Sequence, residues 1–169
     1  MIRDLKRGAA GGVVATACMS ALMIAGDRAG LMRDQPPKRI MRAFLPGHKR
    51  RPKPGEGMLG AIAHFAFGAA AGALFAVVVD GRRARPQLGA VYGMAIWAAS
   101  YQGWVPAMGI LPPAHRDRPG RQAVMAAAHV VYGTTLVMTL NGMPSELPGT
   151  AAGGPSARAR HRRPAYARA

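Results

Sequence analysis

Charged residues are missing from four long stretches of the chain, and each of these stretches is mostly apolar. A soluble helical domain would instead carry a charge every three or four residues along each helix. Uncharged apolar runs of about 18 residues or more are typical of helices that cross a membrane, because about that length spans a hydrocarbon core of ~30 Å. The pattern therefore predicts four transmembrane helices, at residues 8–26, 58–79, 88–111 and 123–140.

Two of these stretches contain the same short motif. The second stretch reads "AHFAFG" from Ala63 to Gly68, and the fourth reads "AHVVYG" from Ala128 to Gly133. Aligning the motifs pairs His64 with His129, and the first and third stretches each begin with two glycines four residues apart. The sequence therefore predicts an all-α polytopic membrane protein whose four transmembrane helices form two similar helical hairpins, related by an axis along the membrane normal.

Glycines on these repeated faces are candidates for helix packing, since a glycine lets a neighbouring backbone approach closely in a membrane. The candidate helix-packing residues are Gly8, Gly12, Gly68, Gly72, Gly89, Gly93 and Gly133.

Residues 1–142 are predicted to form one transmembrane domain, and residues 143–169 a disordered basic tail rich in Pro, Ala and Arg. The first stretch is also compatible with a signal peptide, because "MIRDLKR" resembles a basic leader segment. In the loop after it, Pro37 begins either a short amphipathic helix in the headgroup region or part of a solvated connector. Pro106 is expected to kink the third helix.

The basic residues lie in the loops and tails, and they give the chain a formal net charge of +16. Because they flank apolar stretches, the expected partner is the lipid bilayer, through its anionic headgroups, and no nucleic acid. Eleven Lys and Arg residues fall on one side of the predicted membrane and twelve on the other. Three of them directly precede the first stretch, which favours cytoplasmic termini. The pattern is compatible with a homo-oligomer.

Charged side chains are absent from the stretches, which argues against an ion-coupled transporter. The sequence contains no glycine-rich phosphate loop or zinc-protease motif, and its single cysteine, Cys18, excludes a disulfide within the chain. We therefore expect no enzyme activity, no catalytic residues, no metal and no cofactor.

His64 and His129 support two interpretations. In the first, each donates a hydrogen bond across a helix interface, for example to Thr16, Ser20 or Ser100, and the protein is a structural or lipid-associating membrane component. In the second, the two histidines bind a small hydrophobic ligand or cofactor, such as a quinone or a b-type haem held by two axial imidazoles.

The motifs "AHFAFG", "WVPAMGILPP" and "AHVVYG", together with the Pro-Pro loop after the first helix, resemble those of the YagU-like bacterial inner-membrane proteins. The resemblance covers roughly residues 8–140. It implies a four-helix protein of the bacterial cytoplasmic membrane whose biochemical activity is unknown, and it brings no catalytic or binding residues with it.

Overall fold

The computed structural model describes residues 1–32, 35–49 and 51–143, and every regular element in these ranges is helical. A π-helical segment, Ala98–Trp104, connects the fourth and fifth α-helices, and a short 3-10 turn, Ala114–Arg116, precedes the sixth. The six α-helices are α1 Ile2–Arg28, α2 Pro36–Phe44, α3 Glu56–Val79, α4 Pro86–Trp97, α5 Val105–Ala107 and α6 Pro119–Gly142.

Three of these helices, α1, α3 and α6, are long and apolar enough to cross a membrane. The prediction of four spans is therefore wrong for the part of the chain that the structure describes. The predicted span 88–111 is divided among a 12-residue α4, the π-helical segment and the three-residue α5. Gly103 has non-helical backbone angles (φ −100°, ψ −105°), and Pro106 has no N–H for the carbonyl one turn earlier, so a regular helix is not maintained here.

The long helices pack against one another in antiparallel pairs. Gly8 lies against Gly72 and Gly12 against Gly68, so α1 and α3 run in opposite directions. Gly11 lies against Leu136 and Gly26 against Val124, so α6 is also antiparallel to α1. Gly89 lies against Gly133 and Gly93 against His129, so α4 is antiparallel to α6. The resulting bundle buries its apolar core between α1, α3, α6 and the π-helical segment.

Helix α2 lies across one end of this bundle, where α1 ends and α3 begins. An added Cβ at Gly60 of α3 would lie 2.9 Å from the Pro37 carbonyl, so the backbones of α2 and α3 are in contact. The Arg42 guanidinium donates two hydrogen bonds to the Glu56 carboxylate, at 2.8 and 2.6 Å. The loop thus contains the helix that the amphipathic pattern predicts. Arg42 of this helix is buried against Glu56.

The predicted basic tail falls almost entirely outside the described residues, which end at Met143. Its disorder stays a prediction from composition.

Candidate functional site

Two contacts between helices, here called the glycine seams, bring backbones together without intervening side chains. One joins α1 to α3 and the other joins α4 to α6. They are formed by Gly8, Gly12, Gly68 and Gly72, and by Gly89, Gly93 and Gly133. A methyl group added at Gly12 would overlap the Gly68 carbonyl oxygen, and one added at Gly8 would overlap that of Gly72. On the other seam, a methyl group at Gly89 would overlap the Gly133 carbonyl oxygen, and one at Gly93 would overlap the His129 carbonyl oxygen. All seven glycines singled out by the sequence therefore lie at backbone contacts between helices.

Thr16 and the tyrosine hydroxyls complete these seams. The Thr16 hydroxyl donates to the Gly12 carbonyl oxygen at 2.7 Å and occupies the space that a Cβ at Gly68 would need. Tyr132 of α6 donates to the Gly68 carbonyl oxygen at 2.7 Å, and Tyr92 of α4 donates to that of Ala71 at 2.7 Å. These two hydrogen bonds connect α6 and α4 to α3. These bonds were not predicted from the sequence, although a phenol inside an apolar stretch indicates that its hydroxyl needs a hydrogen-bond partner.

One cavity, the main cavity, lies in the middle of the bundle below α2. It has a volume of about 230 Å³, and both His64 and His129 line it. Most of its other lining is apolar or aromatic. These residues include Met19, Met23, Phe67, Ile96, Trp104, Val105, Leu111, Met125 and Tyr132.

His129 is buried, with 6% of its surface exposed. Its Nδ1 lies 2.7 Å from the Met125 carbonyl oxygen, one turn earlier in the same helix. A carbonyl oxygen can only accept, so Nδ1 carries a hydrogen and donates. In a neutral imidazole this leaves Nε2 as an acceptor. The residue therefore offers the main cavity an acceptor nitrogen, and its hydrogen bond lies within α6 rather than across the interface that the sequence suggested.

His64 is half-buried and lies on the seam between α3 and α1. Its Nδ1 is 3.5 Å from the Ser20 hydroxyl oxygen, one of the three partners that the sequence suggested. The Thr16 hydroxyl donates to Gly12 within α1, and that of Ser100 donates to Ile96 at 2.7 Å within the α4–π run. Of the contacts that the sequence suggested between a histidine and Thr16, Ser20 or Ser100, the one present in the described residues is therefore that of His64 with Ser20.

The π-helical segment forms one wall of the main cavity. Ser100, Tyr101 and Trp104 all line the cavity from this segment. π-helical turns are rare and occur frequently at functional sites, where they redirect side chains. Apart from Gly103 and Pro106, nothing in the sequence indicates this segment, because a π turn has the same apolar composition as the helix that it interrupts.

A buried polar cluster fixes this wall to the start of α6. The Tyr101 hydroxyl donates to the Asp117 carboxylate, and Arg121 Nη1 lies 3.0 Å from Asp117 Oδ1. Asp117 also accepts the Arg118 backbone N–H at 2.8 Å, a position favoured for a carboxylate before a helix N-terminus. The chain has only seven Asp and Glu against 23 Lys and Arg. That scarcity is the signal that could have marked Asp117 and Glu56 as ion-pair partners.

Metal ligands do not cluster in the part of the chain that the structure describes: no group of three or more His, Cys, Asp or Glu side chains there could hold a metal ion.

The fold and the cavity define a class: a small helical protein with three helices that could span a membrane, and a pocket between the helices that is lined by two histidines. The chain belongs to DUF6789, a family of unknown function, whose match covers residues 2–147. Comparisons with curated proteins and with solved structures gave no match.

Proposed function

We propose that this protein binds a small, mostly apolar molecule with one hydrogen-bonding group inside the membrane, and that His64 and His129 recognise that group. The observation that carries the proposal is that both histidines and the π-helical segment line the same cavity. Ligand sites are typically apolar pockets in which a few polar groups fix orientation. This is the second of the two interpretations of the histidines, and the cavity favours it.

The chemistry of the lining limits the ligand. The acceptor Nε2 of His129 favours an O–H or N–H donor on the ligand. Met19, Met23 and Met125 supply flexible thioethers that adapt to irregular apolar shapes. The volume of about 230 Å³ lies below the ~300–1,000 Å³ of pockets for drug-sized ligands. It therefore favours a molecule, or a part of one, smaller than a haem macrocycle.

The proposed scaffold is a pair of similar hairpins, α1 with α3 and α4 with α6. Gly12 against Gly68 and Gly89 against Gly133 would then be equivalent contacts. This pairing aligns Gly12 of the first predicted stretch with Gly89, the first glycine of the third stretch, 77 residues later. Aligning the two stretches by their first glycines, Gly8 and Gly89, would differ from this by four residues, about one helical turn. In this proposal, the α4–π–α5 run replaces the regular helix of the first hairpin and forms the cavity wall.

The proposal also includes the membrane in which the protein lies, its orientation there and its contacts with lipid. The protein would lie in a bacterial cytoplasmic membrane with its termini in the cytoplasm, a placement that the YagU-like resemblance supports. Exposed arginines such as Arg82, Arg83 and Arg85 would contact anionic headgroups. No catalytic activity and no nucleic-acid binding are proposed. The glycine seams also support a second function, that of a structural membrane component.

Replacement of His129 by phenylalanine tests the binding function. Trp97→Phe leaves Trp104, which lines the cavity, as the only tryptophan. Phenylalanine is suited to position 97, because the indole N–H there is buried without a hydrogen-bond partner. In this background, 6-bromo-1-hexanol in detergent micelles should quench Trp104 saturably, and 1-bromohexane should bind more weakly. His129→Phe should weaken bromohexanol binding about tenfold, as expected when a buried hydrogen bond is lost.

The matched control is His115→Phe, which changes an exposed histidine away from the cavity and should leave binding unchanged. Quenching that rises linearly with probe, equally for both compounds and all variants, would contradict the proposal. A haem absorption band in the purified protein that disappears in His64→Ala and His129→Ala would instead support the haem interpretation.

A further inference from the structure

A second cavity, the outer cavity, adjoins the main cavity near the junction of α1, α2 and α3. Its volume is about 450 Å³. His64 and Pro37 line both cavities, so the imidazole stands at the boundary between them. The outer cavity lies near the end of the bundle, because its lining includes Asp27, near the end of α1, and Gly57, near the start of α3.

The two cavities differ in polarity. The main cavity contains no Asp, Glu, Lys or Arg among its described lining residues. The outer cavity is lined by Ser20 and Gln35 and by two opposite charges, Asp27 and Lys38. The outer cavity, which has charged groups beside apolar residues such as Ile24 and Phe65, therefore lies toward the helix ends, and the uncharged main cavity lies deeper. His64 is eight residues into α3, which places it ~12 Å along the helix axis at 1.5 Å per residue.

Resting on the proposed function, we infer that the ligand is a single-chain zwitterionic amphiphile. Its head group occupies the outer cavity, with the anionic part at Lys38 and the cationic part at Asp27. Its chain passes His64 into the main cavity and carries there the hydrogen-bonding group that His64 and His129 recognise. A purely anionic head group would be repelled by Asp27, and a purely cationic one by Lys38. The small main cavity accommodates one chain rather than two.

Neighbouring contacts hold Lys38 at the outer cavity. Its Nζ lies 3.6 Å from Glu56 Oε1, while Arg42 makes the two shorter bonds to the same carboxylate. The contact of Gly60 with the Pro37 carbonyl fixes the start of α2 against α3. Lys38 is therefore positioned by the backbone of α2, and its side chain is 43% exposed.

The test uses the full chain with Trp97→Phe in neutral detergent and three amphiphiles that share one chain, which carries a hydroxyl group and ends in bromine. Their head groups are phosphoethanolamine, carboxylate and trimethylammonium. The phosphoethanolamine compound should quench Trp104 with the highest affinity. Lys38→Gln and Asp27→Asn should each lower that affinity about tenfold, the scale of a lost charged hydrogen bond. Binding of 6-bromo-1-hexanol, which has no charged head, should not change.

Two control variants remove charges outside both cavities: Lys49→Gln in the exposed loop and Asp80→Asn at the opposite end of α3. Neither should alter any affinity. Equal affinities for the three head groups, or no effect of Lys38→Gln and Asp27→Asn while bromohexanol still binds, would overturn this inference and leave the proposed function standing. Failure of bromohexanol to bind the protein would overturn both.

Discussion

Replacement of Asp117 by asparagine is expected to cause the largest loss of stability of any single change outside the glycine seams. The side chains of Asp117 and Arg121 are 3% and 6% exposed, and Tyr101 donates to the same carboxylate. Removing one partner of a buried ion pair typically costs about 3–5 kcal/mol, because the other charge stays buried without its counter-charge. The apparent midpoint of thermal unfolding in detergent, followed by tryptophan fluorescence, should fall accordingly.

Tyr101→Phe provides the comparison, because it removes one donor and leaves the ion pair in place. Its cost should be about 1 kcal/mol. If Asp117→Asn and Tyr101→Phe lower the midpoint equally, the ion pair does not stabilise the junction between the π-helical segment and α6.

Replacement of Gly133 by alanine is expected to destabilise the bundle more than the same change at Gly68. A Cβ at Gly133 would overlap the Gly89 carbonyl oxygen, which is backbone and cannot turn away. A Cβ at Gly68 would overlap the Thr16 hydroxyl, which belongs to a side chain. Overpacking of this kind costs about 1–3 kcal/mol. Thermal unfolding in detergent should therefore rank the variants in the order wild type, Gly68→Ala, Gly133→Ala.

Two further variants make this prediction specific. Thr16→Ala should partly rescue Gly68→Ala, because the added methyl group would then lie 3.2 Å from the Thr16 Cβ position rather than on its oxygen. Gly142→Ala is in the same helix as Gly133, but no other part of the described chain lies within 4 Å of the added group, so this change should be neutral or slightly stabilising. Destabilisation by Gly142→Ala as large as that by Gly133→Ala would show that the seam contact is not the cause.

Much of the helical framework can be predicted from the sequence, because helices that cross a membrane need long uncharged runs and close helix packing needs regularly spaced small residues. Uncharged runs mark α1, α3 and α6, and glycines four residues apart mark the faces at which backbones meet. The same short motif recurs 65 residues later in the chain, which identified His64 and His129 as a pair. Both histidines line one cavity.

Other features depend on where the chain goes in space, which local patterns do not record. The partner of Arg42 is Glu56, 14 residues later, and only the path of the intervening loop brings them together. The π-helical segment arises where Gly103 and Pro106 weaken a helix that also has to pack against α6. The cavity is a consequence of that interruption together with α2 lying across the bundle end, so no single stretch of sequence specifies it.

Native mass spectrometry with 6-bromo-1-hexanol measures directly whether a ligand binds in the main cavity. Ala63 and Ala66 are both exposed and lie one turn apart on α3, but only Ala63 lines the cavity. We expect one bound bromohexanol on the wild type and on Ala66→Phe, and none on Ala63→Phe, because the added ring fills the site. Equal occupancy of Ala63→Phe and Ala66→Phe would contradict this expectation.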